Sequence, residues 1–416
     1  MSRALPVAAR AVSPALVVTL AWFAAFNFRS GFIGLGPVLP NLTRDLALSH
    51  AEASVLVAIP TLMMGLAAVP GGRMADRVGA ERVIALALAL VAVAGGLRAA
   101  APGLTALVLL TVAFGAGIGI GQPALPRLMR SVAPERLELA TGLYASGLVS
   151  GSIISASVTG PLLLDRLGPE TWRGPLAIWG AVAVATLLVW LALLSRDGAV
   201  PAHAPRLDPT QADWSPWRSR QAWQVAAIFA AQGVAYYLLI AWLPSVYAEE
   251  GLGVHETAAL FAMFNAATLP AILGFPVLSQ RLGSRKVACL IASLLFLVGA
   301  VGLMRAPLAE PWRWLWPPLC GAGVAAVFAL GLVMPADISP PGRTGAAAGM
   351  VLGLGYAGSA LGPLLAGIVR DATGSFAAAI AVLPAVGVAM VLLSLLAPAP
   401  GATLPAPAAA QEVAAP

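Results

Sequence analysis

Twelve predominantly apolar runs, each of about 20 residues and so long enough to cross a bilayer, follow one another between Val17 and Leu396. That succession constrains the fold more than any motif does. In lipid a segment must satisfy its own backbone hydrogen bonds, so each run is expected as a helix. Hydrophobic residues make up 59% of the 416 and charged residues only 10%, which a water-soluble domain could not hide in its interior. The first run is too long for a removable signal peptide and lacks the small-residue cleavage site of one. The expectation is an all-α membrane protein with spans near 14–39, 51–72, 82–100, 104–126, 140–164, 174–194, 222–246, 257–278, 287–304, 313–336, 345–368 and 376–397.

Charge sets the orientation. Of the 24 Lys and Arg residues, sixteen fall in segments on the side of the N-terminus and seven on the other, with Arg29 inside a span. Basic residues collect in cytoplasmic loops, so a multi-pass protein of the inner (plasma) membrane with both termini in the cytoplasm is expected. The net charge of +6 then reports topology, and a nucleic-acid partner would need a basic soluble domain that this pattern does not provide. Cys289 and Cys320 both fall in spans and read as packing residues. No metal-ligand spacing, nucleophile elbow or intramembrane His pair marks an enzyme, so no cofactor or metal is expected. Expected partners are the lipid bilayer and a small-molecule substrate, with the chain functional as a monomer.

The long polar connection Ser195–Gln221 carries four prolines and no apolar periodicity, as a linker would. On either side the sequence repeats with an offset near 204. Val38, Leu39 and Pro40 match Trp242, Leu243 and Pro244; Asp45, Leu48 and Glu52 match Glu249, Leu252 and Glu256; Gly79 matches Gly283. Slightly slipped, Gly160 and Pro161 match Gly362 and Pro363. The inferred organisation is a six-helix bundle at 1–194, a cytoplasmic linker at 195–221, a second six-helix bundle at 222–397 and a disordered cytoplasmic tail at 398–416. Such pseudo-symmetric repeats place a substrate near the midplane, where the halves meet.

The turn after the second span reads Gly72, Arg73, Met74, Ala75, Asp76, Arg77, Val78, Gly79, Ala80, Glu81, Arg82. It resembles the loop signature of the major facilitator superfamily, G-x-L-A-D-R-x-G-R-K/R, with Ala80 and Glu81 where basic residues are usual. A degenerate copy after span 8 keeps Arg281, Gly283 and Arg285 but has Gln280 in place of the acid. Glycines such as Gly72 and Gly79 permit a tight reversal, and a carboxylate beside arginines can form a charged latch near a helix N-terminus. The resemblance implies that Asp76, Arg77 and Arg82 hold the cytoplasmic side closed and release it during transport. A solvated positive-inside loop is the plainer alternative.

Arg29 lies deep in the first span, and no carboxylate stands at comparable depth elsewhere. A guanidinium keeps its proton, and at the centre of a membrane helix it costs about 2.5–3.5 kcal/mol. An anionic substrate would justify that cost; the alternative is snorkelling toward the headgroups. Trp22, Phe26 and Arg29 share a helical face, and aromatic rings beside a cation suit a weakly hydrated anion. Asn27 points away and is expected to bond a neighbouring helix. Further polar or aromatic candidates for the site at similar depth are Gln122, Gln232, Tyr236, Asn265 and Tyr356, together with Tyr144 and Tyr237, although each could equally join helices.

The stretch Ala25 to Arg29 with Gly36 to Pro40 resembles the first helix of the cyanate-porter family, a group that includes nitroimidazole transporters. The likeness continues through Trp172, Arg173 and Gly174, through Ala222 to Val225, and through Gly355 and Tyr356 to Gly362 and Pro363. It implies a secondary transporter that moves a small anion, or its conjugate acid, by alternating access. The competing expectation is an exporter of neutral lipophilic drugs such as nitroaromatics. No carboxylate or histidine stands inside a span for proton coupling, which leaves uniport, anion exchange or uptake of a substrate with its own proton.

Overall fold

The computed structural model describes residues 13–48, 50–168, 171–194, 213–305 and 310–396. The expected tail at 398–416 and most of the expected linker lie outside these residues. In the first bundle the helices are α1 (Pro14–Ile33), α2 (Leu35–Asp45), α3 (His50–Val78), α4 (Ala80–Leu97), α5 (Leu104–Gly121), α6 (Ala124–Val132), α7 (Leu137–Val158), α8 (Asp165–Leu167) and α9 (Arg173–Leu194). The second holds α10 (Arg220–Glu249), α11 (Val254–Arg281), α12 (Arg285–Arg305), α13 (Trp316–Asp337), α14 (Thr344–Ser359), α15 (Leu361–Thr373), α16 (Phe376–Ile380) and α17 (Leu383–Leu396).

Eleven helices among the described residues are long and apolar enough to cross a membrane. The remaining expected span, 345–368, is divided into α14 and α15 at Ala360. Pro363 has no N–H to give the Ser359 carbonyl, so the helical ladder is interrupted there. The first span is interrupted for the same reason: Pro37 cannot donate to the Ile33 carbonyl, and α1 gives way to α2 at Gly34. Together these make the twelve spans of two six-helix bundles.

The repeat seen in the residues recurs in the backbone. Ser13 and Ser219 begin α1 and α10 alike, each accepting a hydrogen bond of 3.3 Å from the N–H three residues on. After α2, Leu46 N–H donates to the Leu42 carbonyl and Leu48 N–H to the Thr43 carbonyl, around Ala47 at φ +49°. After α10, Glu250 donates to Val246 and Leu252 to Tyr247, around Gly251 at φ +88°. Every pair in these two turns is offset by 204, and the serine caps by 206. Gly79 and Gly283, at φ +99° and +60°, make the matching reversals at the other end.

Within the bundles α1 packs on α7, α4 on α9, α11 on α13 and α12 on α17; between them α3 meets α14 and α7 meets α11. Leu66, Leu109 and Leu188 turn outward and are exposed, as a surface immersed in hydrocarbon requires. The α3–α14 seam is close because glycines of the two helices meet along it. A Cβ on Gly72 would strike the Gly345 carbonyl, and one on Gly349 would lie 2.5 Å from the Ala68 carbonyl oxygen. Gly72 therefore serves helix contact inside α3. The reversal expected of it is made by Gly79 alone.

Candidate functional site

Arg29 sits just before the last turn of α1, 8% exposed, at the seam between the bundles. Its side chain turns to the second bundle: Nη1 donates to the Tyr237 hydroxyl and Nη2 to the Tyr356 hydroxyl, both at 3.2 Å. The guanidinium carbon is 5.9 Å from the centre of the Tyr356 ring. Hydrogen bonds that involve a charge are worth about 1.5–3 kcal/mol each, so two of them offset the insertion cost of a lone guanidinium. Snorkelling toward the headgroups is not what this side chain does. Gln122, at the end of α5, adds a bond from Nε2 to the same Tyr356 oxygen at 3.0 Å.

Arg29, Tyr237 and Tyr356 border a cavity of about 50 Å³. Arg29, Leu148, Val149 and Ser152 line it from the first bundle; Gln232, Tyr236, Tyr237, Thr268, Phe328 and Tyr356 line it from the second. A single water needs roughly 10–15 Å³ on this measure. The space thus suits a ligand of a few heavy atoms and is well below the 300–1,000 Å³ typical of drug-sized sites. Its wall, among the described residues, carries one cation, several hydroxyls and no carboxylate.

Of the residues singled out in the sequence, Arg29, Gln232, Tyr236 and Tyr356 line the cavity and Gln122 stands one bond behind it. Trp22 and Phe26 do not line it. They stack on each other at 5.6 Å, Trp22 donates to Ser146 at 3.1 Å and Phe26 lies 6.3 Å from Trp179, because the α1 face before Arg29 packs on α7 and α9. Asn265 is also outside the wall; its amide donates to the Phe261 carbonyl of its own helix, and Thr268 takes the cavity position. Asn27 bonds Thr186 of α9 at 2.8 Å. Sequence reasoning gave Tyr237 no priority over its neighbours. Two adjacent tyrosines signal little until the partner helix is known.

Arg98, counted by charge among the seven basic residues of the outer side, is 1% exposed at the end of α4. Its Nη2 donates to the Gly31 carbonyl at 2.9 Å and its guanidinium lies 3.9 Å from the Phe114 ring centre, a desolvated cation–π contact. Nε and Nη1 have no hydrogen-bond partner. It fixes the turn of α1 that follows Arg29.

The turn from Gly72 to Arg82 belongs to a second cluster, at the end of the molecule that bears Gly79. Asp76 reaches across the seam and caps α14, accepting from Gly345 N–H at 2.9 Å and Ala346 N–H at 2.7 Å, where the helix's own Arg343 side chain gives no cap. A carboxylate on a helix N-terminus meets both orphan donors and the positive end of the dipole. Its ion-pair partner is Arg127 at 3.3 Å, which also donates to the Ala75 carbonyl. Arg130 donates across to the Ser339 carbonyl and the Thr344 hydroxyl, and Arg285 pairs across with Glu138 at 2.8 Å as well as with Asp337. Arg77 and Arg82, expected beside Asp76, are exposed; Arg77 borders a solvent-filled recess, and Arg281 and Gly283 are exposed too. The arginines that tie the bundles are Arg130 of α6 and Arg285 of α12, the latter from the degenerate copy of the turn.

Comparison with known proteins agrees with this architecture. The model of the Major Facilitator Superfamily matches residues 21–320. The chain belongs to that superfamily. This facilitator is 30% identical to the cyanate transport protein CynX of Escherichia coli (strain K12), over 84% of this chain and 88% of that one. It is 28% identical to the 2-nitroimidazole transporter of the same organism, over 89% and 91%. In fold it is similar to the proton:xylose symporter XylE, with a TM-score of 0.76 at 14% identity, over 93% and 96% of the two chains. It is a secondary transporter and not an enzyme.

Proposed function

We propose that this facilitator carries a small monovalent anion of the cyanate type, or its conjugate acid, across the inner membrane. The halves rock about the seam so that the Arg29 cavity faces each side in turn, and Arg29 binds the negative group. The observation that carries the reading is a buried guanidinium, with no carboxylate beside it among the described residues, in a cavity sized for a few atoms. Likeness to a cyanate transport protein supports the substrate class. With both termini in the cytoplasm, as the distribution of basic residues suggests, the Asp76 cluster is the inner gate, and its ties between bundles correspond to a closed inner side. Likeness to a 2-nitroimidazole transporter supports a second reading, export of neutral nitroaromatics; the small cavity and its cation favour the anion. Purified protein in proteoliposomes tests the choice with labelled cyanate, 2-nitroimidazole and a lipophilic cation. Saturable transport of cyanate alone is expected, and saturable transport of either other probe without cyanate would reject the reading.

A further inference from the structure

A phenol oxygen carries one hydrogen and two lone pairs. At Tyr356 both lone pairs are engaged, one by Arg29 Nη2 at 3.2 Å and one by Gln122 Nε2 at 3.0 Å, which leaves the hydrogen for the cavity that the ring borders. Tyr237 accepts from Arg29 Nη1 and likewise keeps its hydrogen. A donor whose oxygen is itself held by a cation is polarised and gives stronger hydrogen bonds. The aliphatic hydroxyls of the wall are turned the opposite way. Ser152, Thr268 and Ser359 spend their hydrogens on the carbonyls of Leu148, Asn265 and Gly355, at 3.1, 2.6 and 2.6 Å, and show lone pairs to the space.

The wall therefore offers two kinds of hydroxyl, O–H hydrogens at a pole backed by a guanidinium and lone pairs on the serine and threonine oxygens. Resting on the reading of the site given above, we propose that the anion is gripped by the hydroxyl hydrogens of Tyr237 and Tyr356, with Arg29 supplying the charge behind them. The substrate class that follows is a small monoanion, linear or planar, whose bound end only accepts hydrogen bonds, as in pseudohalides and small oxyanions. A ligand that presents N–H or O–H to this pole meets donor against donor and is refused.

Equilibrium binding to the purified full chain, with sodium cyanate and sodium nitrite as probes, tests the assignment. Tyr356→Phe and Tyr237→Phe are each expected to weaken binding about tenfold, and the double variant about a hundredfold, since each loses a hydrogen bond to a charge. Cyanate should shift the tyrosine near-ultraviolet spectrum of the wild type, and much less that of the double variant. Gln122→Met should weaken binding by about threefold by releasing one lone pair of Tyr356. Tighter binding by Gln122→Met would mean that the amide oxygen had been taking the Tyr356 hydrogen, and would overturn the proposal. Tyrosine variants within twofold of wild type, beside an Arg29→Ala protein that binds neither anion, would also overturn it while sparing the site. Binding by Arg29→Ala equal to wild type would reject the site itself.

Discussion

The two ends of this molecule use the same kinds of residue, arginines and carboxylates, to opposite effect. At the end bearing Gly79, charged groups reach from one bundle to the other: Asp76 to the first turn of α14, Arg130 to Ser339 and Thr344, Arg285 to Glu138. At the other end, the ties seen each stay within one bundle. Trp172 donates to Asp45 at 2.8 Å, Arg173 to the carbonyls of Ala99 and Ala101, Arg313 pairs with Glu256, and Glu249 accepts from Phe376 N–H. The number of charges does not distinguish a gate from a brace. Under the proposed rocking of the halves, what distinguishes them is which bundle the partner comes from, since only ties between bundles would have to break.

Substitutions at the two ends sharpen that contrast. The largest effect is expected from Asp76→Ala, which leaves Arg127 buried beside an uncapped α14; breaking a buried pair costs about 3–5 kcal/mol. Cysteines placed on either side of the α3–α14 seam should become strongly labelled, and net transport should fall at least a hundredfold. Gly72→Leu comes next. Its side chain has no room against Gly345, and overpacking of about 1–3 kcal/mol should pry the same seam apart, read as labelling with a lower melting temperature. Arg130→Gln keeps part of its hydrogen bonding and should shift the seam equilibrium about tenfold, the size of one charged hydrogen bond. Arg173→Gln should do least. Its pair with Asp45 spans 3.8 Å with side chains 42% and 52% exposed, worth under about 1 kcal/mol, and lies inside one bundle. Seam labelling in Arg173→Gln as strong as in Asp76→Ala would break the comparison.

Much of this was legible in the sequence because membrane burial makes polar residues conspicuous. Arg29 stood out as a charge in an apolar run, and the offset of 204 between the halves proved to be the offset of the turns around Ala47 and Gly251. Other features depend on contacts that periodicity cannot supply. Tyr237 and Tyr356 lie 208 and 327 residues from Arg29, and nothing in their own helices says that they meet it. Trp22 and Phe26 share the arginine's helical face, yet α1 passes from bundle packing to the cavity within one turn. Arg98 closes an apolar run, and only its contacts with Gly31 of α1 and Phe114 of α5 show that it is buried. Gly72 was taken for a turn because glycine serves both tight turns and close helices, and only the seam with Gly345 separates the two.

The central claim is that Arg29 holds the negative charge of the cargo, and uptake of labelled cyanate by proteoliposomes tests it most directly. Wild type should saturate, Arg29→Lys should retain uptake with at least tenfold weaker apparent affinity because the planar fork is lost, and Arg29→Ala should show none while inserting and purifying as wild type does. Saturable uptake by Arg29→Ala at the wild-type rate and affinity would contradict the account.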